Sequence, residues 1–113
     1  MHELGIATRI ADIVTRVMDD NSATEVGSIT VDIGSLSGVD SSSLEFCFEA
    51  ITKGTRLEHA RLKIEEIRPR ARCRECGEEY GVSPDDFRCK ACGSSDFDVL
   101  SGTEIVVREV EVE

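Results

Sequence analysis

Apolar residues recur at three- and four-residue intervals along the first segment, at Ile6/Ala7, Ile10, Ile13/Val14 and Val17/Met18, while Arg9, Asp12, Arg16 and Asp19 occupy the other side. This spacing predicts an amphipathic helix from Leu4 to about Asp20, stopped by Asn21 and Ser22. From Glu25 the period changes to two: Ile29, Val31 and Ile33 alternate with Ser28, Thr30 and Asp32 up to Gly34, the signature of a half-buried strand. Ser42-x-x-Glu45 reads as a capping box opening a second helix, with Leu44, Cys47, Phe48 and Ile51 on one face and Gly54 as its stop. A second strand runs from Arg61 to Ile67, where Leu62 and Ile64 alternate with Lys63 and Glu65 before Pro69 ends it. A third, Ile105 to Val112, mixes Val106, Val107 and Val110 with Glu104, Arg108, Glu109 and Glu111, and its acidic end reads as an edge or a solvated strand face.

Between the second and third strands lies "RCRECGEEYGVSPDDFRCKACGSSDF", rich in Cys, Gly and charge and poor in aliphatic residues. Its core is too thin to fold unaided, although Tyr80 and Phe87 are available to pack it, and Asp85 and Asp86 after Pro84 read as turn residues. The expected fold is α+β: two helices on a three-stranded sheet, with a four-cysteine zinc-ribbon module inserted. Residues 1–70 together with 99–113 form the main domain in this reading, and 71–98 the inserted module.

At 113 residues the chain has room for one modest core. Its net charge of −10, from 23 acids against 13 bases, disfavours nucleic acid, because affinity for a phosphate backbone rests on Lys and Arg. Arg9, Asp12 and Arg16 interrupt the first apolar stretch, so neither a signal peptide nor a membrane span is expected, and the chain reads as cytoplasmic. Five cysteines in that compartment are thiols or metal ligands rather than disulfides.

Four of them, Cys73, Cys76, Cys89 and Cys92, make two C-x-x-C-G knuckles closed by Gly77 and Gly93. Two such turns can complete a tetrahedral four-sulfur shell around one zinc ion, which leaves no open position for substrate and so makes the metal structural. A rubredoxin-like iron centre and a dithiol redox pair are the competing readings. Arg70, Arg72, Arg74, Arg88 and Lys90 are expected to offset the thiolate charge. Cys47, between Phe46 and Phe48, reads as a small buried hydrophobe.

The opening Met1-His2-Glu3 offers a second kind of metal site. The Met1 amine and the His2 backbone nitrogen form a five-membered chelate ring, and His2 Nδ1 closes a six-membered ring on the same nitrogen. Three nitrogens at adjacent corners of a square suit Ni(II) or Cu(II) better than zinc. The fourth donor is left to Glu3, His59, water or a partner, and the bland alternative is that Glu3 simply favours a helix start.

Taken together, Met1-His2-Glu3, the "LEFCFE" stretch from Leu44 to Glu49 followed by Gly54-Thr55, the Ala60–Ile64 "ARLKI" strand and the paired knuckles resemble the HypA/HybF family of nickel metallochaperones used in maturing [NiFe] hydrogenases. The resemblance implies a nickel site at Met1, His2 and Glu3 and zinc at Cys73, Cys76, Cys89 and Cys92. It also implies docking on the GTPase HypB and delivery to the hydrogenase large subunit, or in some relatives service to urease. A histidine that reaches the nickel from a longer zinc segment in certain archaeal members has no counterpart in the spacer here, and His59 reads as a surface residue. A zinc-ribbon module for protein or nucleic acid without nickel function is the alternative. No Ser/His/Asp grouping, phosphate loop or H-E-x-x-H supports an enzyme.

Overall fold

A computed structural model describes residues 2–83 and 85–113; the expectations placed on Met1 and Pro84 lie outside the described residues. Helix α1 spans His2–Asp20, strand β1 Val26–Gly34, helix α2 Ser41–Thr52 and strand β2 Arg61–Ile67. Strands β3 (Arg70–Cys73), β4 (Glu79–Gly81) and β5 (Phe97–Ser101) follow, and β6 (Ile105–Val112) closes the chain. The expected two helices and three long strands are all present, and the chain divides into two compact units.

The first unit comprises residues 1–32, 39–65 and 106–113. Ala7, Ile10, Val14 and Met18 form the buried face of α1, matching the spacing of the apolar residues, and Leu44 and Phe48 bury the corresponding face of α2. The helices pack against each other and run the same way: Glu3 Oε2 accepts the Asp40 N–H at 3.1 Å at one end, and Arg56 Nη2 meets Asp19 Oδ1 at 2.9 Å at the other. The α1 C-terminus closes as a Schellman turn, with Ala23 N–H donating to Met18 O at 2.8 Å and Ser22 held at φ 52°.

The cap of α2 differs from expectation. Asp40, not Ser42, is the N-cap, its side chain accepting the Ser43 N–H at 3.1 Å, so Ser42 and Glu45 make no capping box. Asp40 precedes three serines, and a carboxylate accepts better at a helix N-terminus than a hydroxyl.

The long strands form one sheet in the order β2-β1-β6. Ser35 N–H donates to Ile67 O at 2.9 Å, which brings the C-terminal ends of β1 and β2 together and makes them parallel, with α2 in the crossover. Gly34 N–H to Glu104 O and Glu113 N–H to Glu25 O set β6 antiparallel to β1. As the central strand, β1 is buried on both faces rather than half-buried: Ser28 and Thr30 are each 7% exposed, and Ser28 Oγ bonds Glu111. The acidic strand β6 is an edge, as expected.

The second unit comprises residues 33–38 and 66–105, and the cysteine segment inside it has a sheet of its own that the sequence did not reveal, ordered β4-β3-β5 and antiparallel throughout. Strand β3 pairs Ala71 with Tyr80 and with Val99, and its Ala71 and Cys73 are buried while Arg70 and Arg72 are exposed. Ala71, Cys73, Tyr80, Val82 and Cys89 form a small core, and Phe87 and Phe97, stacked on each other with ring centres 5.6 Å apart, pack against it.

Candidate metal centre

The four cysteines of the second unit converge. Their sulfurs all lie within 4.8 Å of one another, and they are the one group of three or more His, Cys, Asp or Glu ligand atoms so placed among the described residues. Each knuckle is built by the same two backbone hydrogen bonds. Cys73 N–H donates to Glu78 O at 2.8 Å and Gly77 N–H to Cys73 O at 2.9 Å; Cys89 N–H donates to Ser94 O at 2.9 Å and Gly93 N–H to Cys89 O at 2.8 Å. The turns require positive φ at Gly77 (78°) and Gly93 (77°), which explains why a glycine follows each pair.

A tetrahedron with metal–sulfur bonds of about 2.3 Å has sulfur–sulfur edges of about 3.8 Å. Here Cys73 Sγ lies 3.5 Å from Cys92 Sγ, and Cys76 Sγ lies 3.6 Å from Cys89 Sγ. A disulfide would need about 2.05 Å, so the four remain free thiols at the spacing of a shared ion, and the residues fit a tetrahedral metal. Burial is unequal: Cys73 and Cys89 are inside the small core, whereas Cys76 and Cys92 are exposed.

The thiols do not titrate alike. The Cys76 N–H aimed at Cys73, and the Glu75 N–H beside it, favour the Cys73 thiolate and draw its pKa down to about 7. The Ser94 N–H, its largest single interaction, favours the Cys92 thiolate too, but the neighbouring thiols of Cys73, Cys76 and Cys89 together with some loss of solvation outweigh it and push Cys92 up to about 12. Cys76 is raised for the same reason, mainly by Cys89, against the Glu78 N–H that favours its thiolate. Close-set sulfurs ionise one after another at rising cost until a cation neutralises them.

The neighbouring arginines do not supply that cation. Arg74 binds Asp96 at 2.9 Å and Asp98 at 2.6 Å, Arg72 binds Glu79 at 2.8 Å, and Arg88 faces Asp86 at 3.6 Å. Arg72 and Arg74 spend their charge on carboxylates that tie β3 to β4 and to the β5 side, and Arg88 pairs locally with Asp86, so these three do not give the thiolates the offset expected of them. Tyr80 and Phe87 do pack the segment, the Tyr80 hydroxyl donating to Phe87 O at 2.7 Å. Asp86 turns the chain with Ser83, each N–H donating to the other's carbonyl at 3.1 and 3.3 Å.

At the other end of the sequence, His2 is the first residue of α1, and its Nδ1 lies 3.5 Å from Glu3 Oε1. His2 and Glu3 are therefore adjacent in space, while Met1 lies outside the described residues. The second Glu3 oxygen is held by the Asp40 N–H, which together with Glu3's own N–H keeps this carboxyl below the usual carboxylate range. Asp40, 37 residues downstream, is a support for this end that no local sequence signal announces. His59 is exposed just before β2 and lines a cavity with Glu45, Glu49 and Glu58, a grouping that contains neither His2 nor Glu3. Cys47 is partly buried.

The family model described as hydrogenase/urease nickel incorporation metallochaperone HypA matches residues 1–112. The chain is 42% identical over 113 residues to the hydrogenase maturation factor HypA of Geotalea uraniireducens, covering 100% of both chains. To the protein of the same name from Nostoc sp. it is 41% identical, covering 100% of this chain and 96% of the other. The solution structure of the Ni metallochaperone HypA from Helicobacter pylori has the same fold, with a TM-score of 0.72 at 22% identity over 99% of this chain and 97% of that one. A further solution structure of HypA protein aligns at a TM-score of 0.77 and 22% identity, over 100% of this chain and 97% of that one. The chain belongs to the HypA family, nickel-incorporation metallochaperones of hydrogenase maturation rather than enzymes.

Proposed function

We propose that the chain carries Ni(II) on the Met1 amine, the His2 backbone nitrogen and His2 Nδ1, with Glu3 beside them, while Cys73, Cys76, Cys89 and Cys92 hold a structural Zn(II). The observation that carries the reading is the placement of His2 as the first residue of α1 in a chain that matches a nickel-incorporation family from residue 1 to residue 112. The first N–H groups of a helix have no intrahelical acceptor, so the His2 amide can give up its proton to nickel without breaking a helical hydrogen bond. Planar nitrogen donors suit a d8 ion, and the deprotonations required make affinity fall as pH falls. Glu3, held anionic by the Asp40 N–H, adds negative charge beside the imidazole. A fourth corner left to water or to a recipient's own donor suits a carrier that must release its cargo.

The zinc reading rests on four soft sulfur donors at tetrahedral spacing with no position left open. Handover with the GTPase HypB to the hydrogenase large subunit in the cytoplasm, and service to urease in the manner of some relatives, complete the reading. Among the described residues no helix is long and apolar enough to cross a membrane.

The test is nickel titration of protein with a free Met1 amine, beside a His2→Ala variant and a form extended by one residue before Met1, with zinc measured in each. About one tightly held nickel per chain is expected in the first, none in the second and weakened binding in the third, with zinc unchanged. Full nickel affinity in His2→Ala overturns the amino-terminal site. Visible sulfur-to-iron colour in place of zinc overturns the assignment of the four-cysteine ion.

A further inference from the structure

Helix α2 exposes something the metal sites do not use. Leu44, Phe48 and Thr52 bury one face, yet Phe46 is 74% exposed, the most exposed large hydrophobic residue among those described. Near it runs a groove of about 300 Å³ between α2 and β2, floored by Phe48, Ala60 and Leu62 and edged by Glu45, Glu49 and Glu58, with Thr52 and His59 completing its polar wall. At about 100° per residue, Glu45, Glu49 and Phe46 follow one another around the helix from groove to solvent, so Phe46 comes next after Glu49, just outside the residues that line the groove. None of the three carboxylates makes an ion pair or a side-chain hydrogen bond among the described residues, whereas Glu3, Glu79 and Asp98 all do.

We propose that this groove, with Phe46 just outside it, is a docking surface for a cationic amphipathic segment of a partner protein, whose apolar side chains lie in the groove and against Phe46 while its Lys or Arg residues meet Glu45, Glu49 and Glu58. Three features on the page select that occupant. An exposed aromatic beside a polar-edged groove with an apolar floor is the anchor-and-pocket arrangement that carries binding energy at protein interfaces. The unpaired carboxylates set the sign of the partner and speed encounter with it. A second copy of this chain meeting the same face across a two-fold axis would bring acid against acid, and an anionic phosphate backbone or lipid surface would be repelled.

The probe is a synthetic helical peptide of alternating Leu and Lys character, titrated into the full metal-loaded chain, with a Leu/Glu peptide of the same pattern as control. Phe46→Ala and Glu49→Lys are compared with Asp20→Lys, which makes the same charge change at an exposed position at the far end of α1. Because Phe46 and Glu49 are exposed, neither change touches the core; circular dichroism and zinc content check this. We expect the Lys peptide alone to bind, with Phe46→Ala and Glu49→Lys each weakening it at least about ten-fold and Asp20→Lys less than about two-fold. Equal weakening by Glu49→Lys and Asp20→Lys, a silent Phe46→Ala, binding of the Leu/Glu peptide, or Phe46-dependent dimerisation in sedimentation each overturns the proposal. The result is independent of nickel, since His2 lies outside this groove.

Discussion

Two glycines that look alike in the sequence should respond to the same substitution in opposite directions. A Cβ added at Gly34 would lie 2.1 Å from the carbonyl carbon and oxygen of Gly102 and 2.5 Å from Thr103 N, against an ordinary contact of 3.4 to 4 Å. All three atoms are backbone, so no side chain can swing away. The same stretch is laced by Gly34 N–H to Glu104 O and Leu36 N–H to Gly102 O, both 2.7 Å, and moving residues 102–104 aside breaks them. Overpacking costs roughly 1–3 kcal/mol, and each lost hydrogen bond adds about 1 kcal/mol, so Gly34→Ala should destabilise the second unit by about 3–5 kcal/mol. A Cβ at Gly5, in the exposed first turns of α1, meets nothing within 4 Å, and there alanine should gain about 0.5–1 kcal/mol through helix propensity. Tyr80 is the single tyrosine in a chain without tryptophan, and it is buried in the second unit, so its fluorescence in urea follows that unit while ellipticity at 222 nm follows the helices. A Gly34→Ala protein whose Tyr80 transition falls within about 1 kcal/mol of the parent would refute the claim that backbone closeness demands glycine there.

Ser22 closes α1 in the left-handed region at φ 52°, so Ser22→Gly should relieve strain and raise helix stability by up to about 1 kcal/mol, read from thermal melting at 222 nm; a lower melting point would contradict the Schellman assignment. Removing the metal with a chelator should abolish the buried Tyr80 signal while most of the helix ellipticity survives, because α1 and α2 have their own apolar faces; parallel loss of both signals would show the units to be one folding unit. Glu3 has its pKa lowered in the folded chain by the Asp40 N–H, so its contribution is fully present above the unfolded carboxylate value of about 4.3 and is lost as pH falls through the lower folded value. Helix stability should accordingly decline in that acid window, with a smaller slope in Glu3→Gln; equal slopes would mean the Glu3–Asp40 bond does not contribute.

Helices α1 and α2 and strands β1 and β2 were legible because their apolar residues recur along one face, whereas β6, with no buried residue, was found from its run of β-branched residues. The β2 limits Arg61 and Ile67 follow directly from alternation, and α1 is found from Ile10, Val14 and Met18 even though it begins at His2, ahead of its first buried residue, Ala7. What alternation could not show is which strand lies in the middle. Ser28 and Thr30 read as solvent-facing, but strands on both sides of β1 bring Glu111 over Ser28 and cover them. The second sheet was hidden because its strands have four, three and five residues, too short for a period, and because two of its five core side chains are cysteines that read as ligands only. The α2 cap was misplaced by two residues since Asp40 and three serines offer overlapping acceptors, and only the backbone at Asp40, φ −86° and ψ 114°, decides among them.

Spacing alone identified the four cysteines, but not their inequality, and the inequality bears on how such an ion is held. Cys73 and Cys89 are 1% and 3% exposed and belong to the hydrophobic core, so half of the proposed ligand set is positioned by packing with Ala71, Tyr80 and Val82 whether or not an ion is bound. Cys76 and Cys92 stand at the surface, held by knuckle backbone alone. A site divided in this way has a fixed floor and an accessible lid: the buried pair sets where the ion sits, and the exposed pair is where a competing ligand must first attack. If the four sulfurs hold one ion, as proposed, its exchange should therefore begin at Cys76 and Cys92. Loss of fold should follow only when Cys73 and Cys89, which are core residues as well as proposed ligands, let go.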